Sequence, residues 1–322
     1  TYIKNKYNIL IILKKRILYI ILGVMLFAKV GLGQSASISI SGPNLYTYNG
    51  LPKAQSSDLT ITYTFGGSDF PNSSVTYTYS GPAYSNSNIP PSIAGTYQVI
   101  ASVNFSITGL VNSIPFAFTI DKATPTLSVT NSPLTYTASA QSATVSSSVL
   151  GTTSNIHYNG STNPPTNAGT YTITADFVPS DVSNYNSSID VSAGSFTINK
   201  APVTISDILL TKIYDGNPTV NVISNSSSGI ISGDNVVITG NATSFSNKIV
   251  ANNYSLTVTF SLTSSTGKES NYYISGSNPI LITNGSITKL PITLTASTNT
   301  KVYDGTVSAT ATPTITTGAL VS

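Results

Sequence analysis

The chain has 322 residues, no cysteine, 8% charged residues and a formal net charge of +3. Without cysteine there is no disulfide framework, thiolate zinc site or lipid-modified cysteine, and so low a charge argues against disorder driven by repulsion. Six basic residues fall in the first 34 positions, so the rest holds eight lysines, no arginine and eleven acids, a balance of −3 that makes nucleic acid an unexpected partner.

The first element is an export signal. Lys14-Lys15-Arg16 precedes an apolar run from Ile17 to Ala28, and small residues follow at Gly31, Gly33, Ser35 and Ala36. A charged region, a short apolar region and a small-residue zone predict a secretory signal over 1–33, cut after Gly33. The run is shorter than the ~20 residues a spanning helix needs. Contact with a membrane is therefore expected only transiently, through this signal. The mature chain is expected to be secreted or extracellular, at a bacterial cell surface.

Four units follow, predicted at 34–121, 122–200, 201–289 and 290–322, the last a truncated copy. Pro90-Pro91-Ser92-Ile93-Ala94-Gly95-Thr96-Tyr97 matches Pro164-Pro165-Thr166-Asn167-Ala168-Gly169-Thr170-Tyr171. Phe118-Thr119-Ile120-Asp121-Lys122-Ala123 matches Phe196-Thr197-Ile198-Asn199-Lys200-Ala201. A second kind of unit recurs at a constant offset of 89. Lys212-Ile213-Tyr214-Asp215-Gly216 matches Lys301-Val302-Tyr303-Asp304-Gly305, and Lys200-Ala201-Pro202 matches Lys289-Leu290-Pro291. The fourth unit stops early at Ser322, so a longer natural protein is expected.

Within each unit apolar and polar residues alternate. Ile61, Tyr63 and Phe65, then Val75, Tyr77 and Tyr79, alternate with polar neighbours; so do Tyr97 to Val103, Tyr171 to Phe177 and Leu256 to Leu262. A period of two buries one face of a strand, and turn residues every ten positions or so predict tandem immunoglobulin-like β-sandwiches, an all-β fold. Tyr97 and Tyr171 are the expected corner tyrosines, with Val99 and Ile173 as the core residues two positions on. Gly95 and Gly169 are expected to supply a positive φ at the bend.

On these residues, 37–200 resemble two MBG-type domains, immunoglobulin-like modules of bacterial surface proteins. The marks are the Ala-Gly-Thr-Tyr corner, Asn184-Tyr185-Asn186 and the Phe-Thr-Ile-x-Lys-Ala exit strand; the first copy lacks a clear Asn-Tyr-Asn before Phe118. Residues 201–289 resemble a YDG domain through Tyr214-Asp215-Gly216, Gly233-Asp234-Asn235-Val236, Asn247-Lys248, Asn271-Tyr272-Tyr273 and Ile287-Thr288-Lys289, and 290–322 open a second copy. The resemblance implies an extracellular repeat protein of filamentous-haemagglutinin-like adhesin architecture, a stalk or adhesin array. Its partner would be a surface ligand, protein or glycan, that the residues do not identify. The alternative reading is a non-catalytic spacer of a large secreted enzyme such as a polysaccharide hydrolase, or a carbohydrate-binding module with tyrosines as a stacking platform.

No catalytic, cofactor-binding or metal-binding residue is expected, and the chain reads as a non-enzyme. His157 is the only histidine and Glu269 the only glutamate, so acid–base chemistry is poorly supplied. Ser286-Ile287-Thr288-Lys289 spells Ser-x-x-Lys, but on an exit strand rather than a helix. Asp215-Gly216 and Asp304-Gly305 read as turn formers; calcium needs six to eight oxygens, and the acids here are scattered.

Overall fold

The computed structural model describes residues 36–65, 74–82, 84–105, 109–220, 224–308 and 310–321. The export signal expected at 1–33 lies outside them. The first sandwich comprises β1 (Ala36–Ser41), β2 (Leu45–Thr47), β3 (Thr60–Phe65), β4 (Thr76–Gly81), β5 (Tyr84–Ser87), β6 (Gly95–Phe105), β7 (Gly109–Asn112) and β8 (Phe116–Asp121). β1 pairs antiparallel with β3, and the second sheet runs β2-β8-β6-β4-β5, with β7 against β6.

The second sandwich comprises β9 (Leu127–Val129), β10 (Leu134–Thr135), β11 (Val145–Ser147), β12 (Gly151–Tyr158), β13 (Gly169–Pro179) and β14 (Ser188–Asn199). Its sheets are β11-β9 and β10-β14-β13-β12. The third comprises β15 (Ala201–Leu209), β16 (Thr211–Ile213), β17 (Ser224–Ser228), β18 (Val236–Ala242), β19 (Ala251–Ser264), a 3-10 turn at Lys268–Asn271, β20 (Tyr272–Ile274) and β21 (Ile280–Thr288). Its sheets are β17-β15-β20 and β16-β21-β19-β18. The fourth repeat begins as a hairpin of β22 (Thr293–Thr295) and β23 (Thr314–Thr317).

One plan therefore recurs: the order β2-β8-β6-β4 returns as β10-β14-β13-β12 and as β16-β21-β19-β18. In each, a short strand runs parallel to the last one, placing Thr47 opposite Asp121, Thr135 opposite Asn199 and Ile213 opposite Thr288. The next residue is a tyrosine every time. The amides of Tyr48, Tyr136 and Tyr214 donate to the carbonyls of Asp121, Asn199 and Thr288 at 2.8, 2.9 and 2.9 Å.

Alternation fixes which face each strand buries. On β6, Tyr97, Val99, Ala101, Val103 and Phe105 are buried while Thr96, Gln98 and Asn104 are exposed. On β13 the buried set begins at Ile173 and continues through Ala175 and Phe177; on β19 it is Leu256, Val258 and Phe260. Tyr63 departs from the expected pattern. It is 41% exposed on β3, its ring T-shaped to Phe105 at 6.2 Å.

The chain divides into two compact units. One carries the first sandwich with Ser147–Ser154 and Asp176–Val191; the other carries Leu127–Ser146, Asn155–Ala175 and everything from Ser192. In the first unit Tyr79, Tyr97, Val99, Phe118 and Ile120 form the main core, and Ile38, Val103 and Phe105 a smaller one. In the second unit Phe245, Leu256, Val258, Phe260 and Ile287 form one core. Its other core is continuous from Tyr158, Ile173 and Phe196 through Ala201 and Val203 to Tyr272.

Candidate functional site

Tyrosine corners locate the ends of the sheets. Tyr97 Oη donates to the Ile93 carbonyl at 2.9 Å and Tyr171 Oη to the Asn167 carbonyl at 2.8 Å, with Val99 and Ile173 fully buried behind them. A third corner escaped sequence reasoning: Tyr254 Oη donates to the Ile249 carbonyl at 2.6 Å. Strand register aligns it with the first. Gly95 faces Ile120 and Tyr97 faces Phe118, while Ala251 faces Ile287 and Tyr254 faces Gly285. One extra residue is accommodated as a bulge, with Asn253 at φ 65°. Ile249, Val250 and Ala251 thus hold the places of Ile93, Ala94 and Gly95.

The two corner glycines differ, and the expected role of Gly169 is corrected. Gly95 has the positive φ expected of it, 158°, whereas Gly169 is not among the positive-φ residues. Gly169 already lies on β13 and needs no left-handed bend. An added methyl at Gly169 would come no nearer than 3.4 Å to Tyr171, and the third corner carries Ala251 at this place. The aromatic backing of the corner is conserved by a different route. Phe118 stacks on Tyr97 at 5.6 Å, whereas Gly285 leaves that place empty and Phe245 fills it, 5.0 Å from Tyr254.

Each corner of the first two sandwiches is engaged by an Asn-Tyr step from further along the chain. At the first joint Asn184 Oδ1 accepts the Ala94 amide at 2.9 Å. Ala123 bridges in parallel to Tyr185, with Ala123 N–H donating to Asn184 O and Asn186 N–H to Ala123 O, both 2.9 Å. The Tyr185 ring stands edge-on to Tyr48 at 5.2 Å, and Lys122 Nζ donates to the Val182 carbonyl at 2.7 Å. At the second joint Asn271 Oδ1 accepts the Ala168 amide at 2.7 Å. Ala201 pairs in parallel with Tyr272, and the Tyr272 ring stands edge-on to Tyr136 at 5.5 Å. The first joint lies within the first unit and the second joint within the second.

The second joint adds a buried carboxylate. Asp234 Oδ2 accepts from Tyr136 Oη at 2.8 Å and from Tyr272 Oη at 2.6 Å, and Tyr272 Oη accepts the Ile231 amide at 3.1 Å. Burial, then the adjoining carboxylate, pushes the Tyr136 hydroxyl up to about 12, and the same causes raise Tyr272. Both hydroxyls therefore stay protonated and donate at neutral pH. The chemistry is adhesion between side chains: two neutral donors satisfy a charge that would be costly to bury alone. Gly233-Asp234-Asn235 and Asn271-Tyr272 were legible as family marks. What the sequence did not show is that they reach a tyrosine and an amide of the preceding repeat.

The remaining residues weighed for chemistry are dispersed. His157 is half-buried at the end of β12, before the Asn159-Gly160 turn, and Glu269 sits in the 3-10 turn. Ser286 is on β21, where its amide donates to the Leu210 carbonyl and its hydroxyl meets Thr211 Oγ1 at 3.1 Å. Lys212 Nζ donates to Asp215 Oδ1 and the Thr219 carbonyl at 2.7 Å and to the Asn217 carbonyl at 3.0 Å. Gly216 follows at φ 83°, so Lys-x-Tyr-Asp-Gly closes a loop around its own ammonium. The Lys212 ammonium, then the Asn217 amide, hold the Asp215 carboxyl below its ordinary value. Lys301 and Asp304 repeat the pair at 2.8 Å. Among the described residues no three His, Asp or Glu side chains gather as a metal site.

Residues 123–202 match the MBG domain family and residues 199–279 match the YDG domain family. The chain thus carries an MBG domain followed by a YDG domain, and the two share one strand order. These are repeat or binding-type domains rather than known catalytic families, and together they indicate a repeat region of a surface protein. No curated protein matches the chain.

Proposed function

We propose that this chain is the structural and adhesive repeat region of an exported bacterial surface protein, non-enzymatic, presenting or carrying a binding surface for a protein or glycan ligand. The observation that carries this reading is the joint. Side chains that mark the MBG and YDG sequences, Asn184, Tyr185, Asp234, Asn271 and Tyr272, are used to hold one repeat to the next. Lys212 and Asp215, by contrast, close a loop within one repeat. The test is surface proteolysis of intact cells producing the protein, combined with an adhesion assay of a deletion strain. Shaving that releases fragments of 36–321, with adhesion lost on deletion, supports the proposal. A protein found only inside the cell, or hydrolytic turnover of a polysaccharide by the purified chain, overturns it.

A further inference from the structure

Both joints use the same three receiving groups: a tyrosine ring after the short parallel strand, the amide just before the corner strand, and the backbone after the exit lysine. These are Tyr48, Ala94 and Ala123 at the first joint and Tyr136, Ala168 and Ala201 at the second. The YDG domain carries the same set again. Tyr214 follows β16 as Tyr136 follows β10, Val250 precedes its corner as Ala94 does, and Leu290 follows Lys289. Tyr214, Val250 and Leu290 line one groove of about 320 Å³.

The other wall of the groove is Ala319, Leu320 and Val321. Its counterpart at the second joint is Ile230-Ile231-Ser232. The hairpin register there, Thr204 opposite Ser228, recurs as Thr293 opposite Thr317. Gly229 and Gly318 then turn at φ 96° and 82°, each so close over the carbonyl of Pro202 or Pro291 that a methyl would strike it. Leu320 thus stands where Ile231 stands, and the Ile231 amide donates to Tyr272 Oη. The groove is the place that Asn271-Tyr272 fills one joint earlier.

We infer that Tyr214, Val250 and Leu290 form a third receptor, specific for an Asn-Tyr segment of a YDG-type repeat. The asparagine Oδ1 accepts the Val250 amide, the tyrosine ring stands edge-on to Tyr214, the segment pairs in parallel with Leu290, and the phenol accepts the Leu320 amide. None of this depends on where the protein works, so failure here leaves the surface reading standing, and the reverse holds too.

The test appends residues 234–289 after Ser322 of the full chain, so that the copy opening at Leu290 gains an Asn-Tyr step, and follows amide hydrogen exchange. Val250 is expected to exchange about tenfold more slowly than in the chain without the added copy, the effect of one satisfied buried hydrogen bond. Alanine in place of the Asn of the added Asn-Tyr step should abolish that slowing, and Tyr214→Ala should weaken it. Val250 exchange indifferent to the added asparagine, in a tandem whose added copy is itself protected, overturns the inference. So does an added copy that stays unprotected, because both joints described above hold their following repeat in place.

Discussion

Replacing Asn271 by alanine isolates what a joint contributes. The side chain is 1% exposed; its Oδ1 takes the Ala168 amide at 2.7 Å and its Nδ2 reaches Asn167 Oδ1 at 3.3 Å. The second bond is long and adds little. The first leaves an N–H without a partner, and an orphaned buried donor costs about 1–3 kcal/mol. Taking about 2 kcal/mol, the Ala168 amide should open roughly 30-fold more often, at about 1.4 kcal/mol per factor of ten. Residue-resolved hydrogen exchange reads this directly, and it is preferable to a melting temperature because a chain of several sandwiches does not unfold in two states. The faster exchange must appear at Ala168, 103 residues away in sequence, and at its neighbours in the MBG corner. If only the YDG domain loosens while Ala168 exchanges as before, Asn271 serves its own repeat and the joint argument fails.

Asp234→Ala strands two buried hydroxyls and should lower the opening free energy of the amides around it, read by hydrogen exchange, by about 2–4 kcal/mol, while Asp234→Asn, which keeps an acceptor, should lose markedly less; equal losses would deny the acceptor role. Tyr79 and Tyr136 have hydroxyls pushed up to about 12, so the folded chain holds protons there that the unfolded chain releases near 10. That contribution to stability is complete below pH 10 and is lost as pH rises toward 12, so denaturant midpoints should fall across that window and phenolate absorbance should lag behind pH until unfolding. Gly285→Ala places a methyl 2.6 Å from Phe245 and 3.0 Å from the Tyr254 carbonyl, and should lower the opening free energy of the YDG core, read by hydrogen exchange, by about 1–3 kcal/mol, partly recovered by Phe245→Leu.

Local rules made much of the fold legible. Period-two runs located β6, β13 and β19, and Ala-Gly-Thr-Tyr located two corners, because burial and a hydroxyl four residues from its acceptor are short-range facts. The third corner hid behind a single inserted residue, which shifts the spacing but leaves the hydrogen bond intact. Phe245 could not be read as the substitute for Phe118, since a core place can be filled from any strand or loop that reaches it. The joints were hidden for a related reason. Repetition shows that Asn184-Tyr185 and Asn271-Tyr272 recur, but it does not say which repeat they touch.

Sequence distance at the joints carries a consequence for how the chain is built. Ala94 and Asn184 are 90 residues apart, and Ala168 and Asn271 are 103 apart. The clasp on each sandwich is supplied late in the sandwich that follows, between β13 and β14 at the first joint and between β19 and β20 at the second. Closing so large a loop is slow. During synthesis or translocation from the N-terminus, every sandwich must survive unclasped until most of its successor has emerged, and rigidity then travels along the array one step behind the growing end.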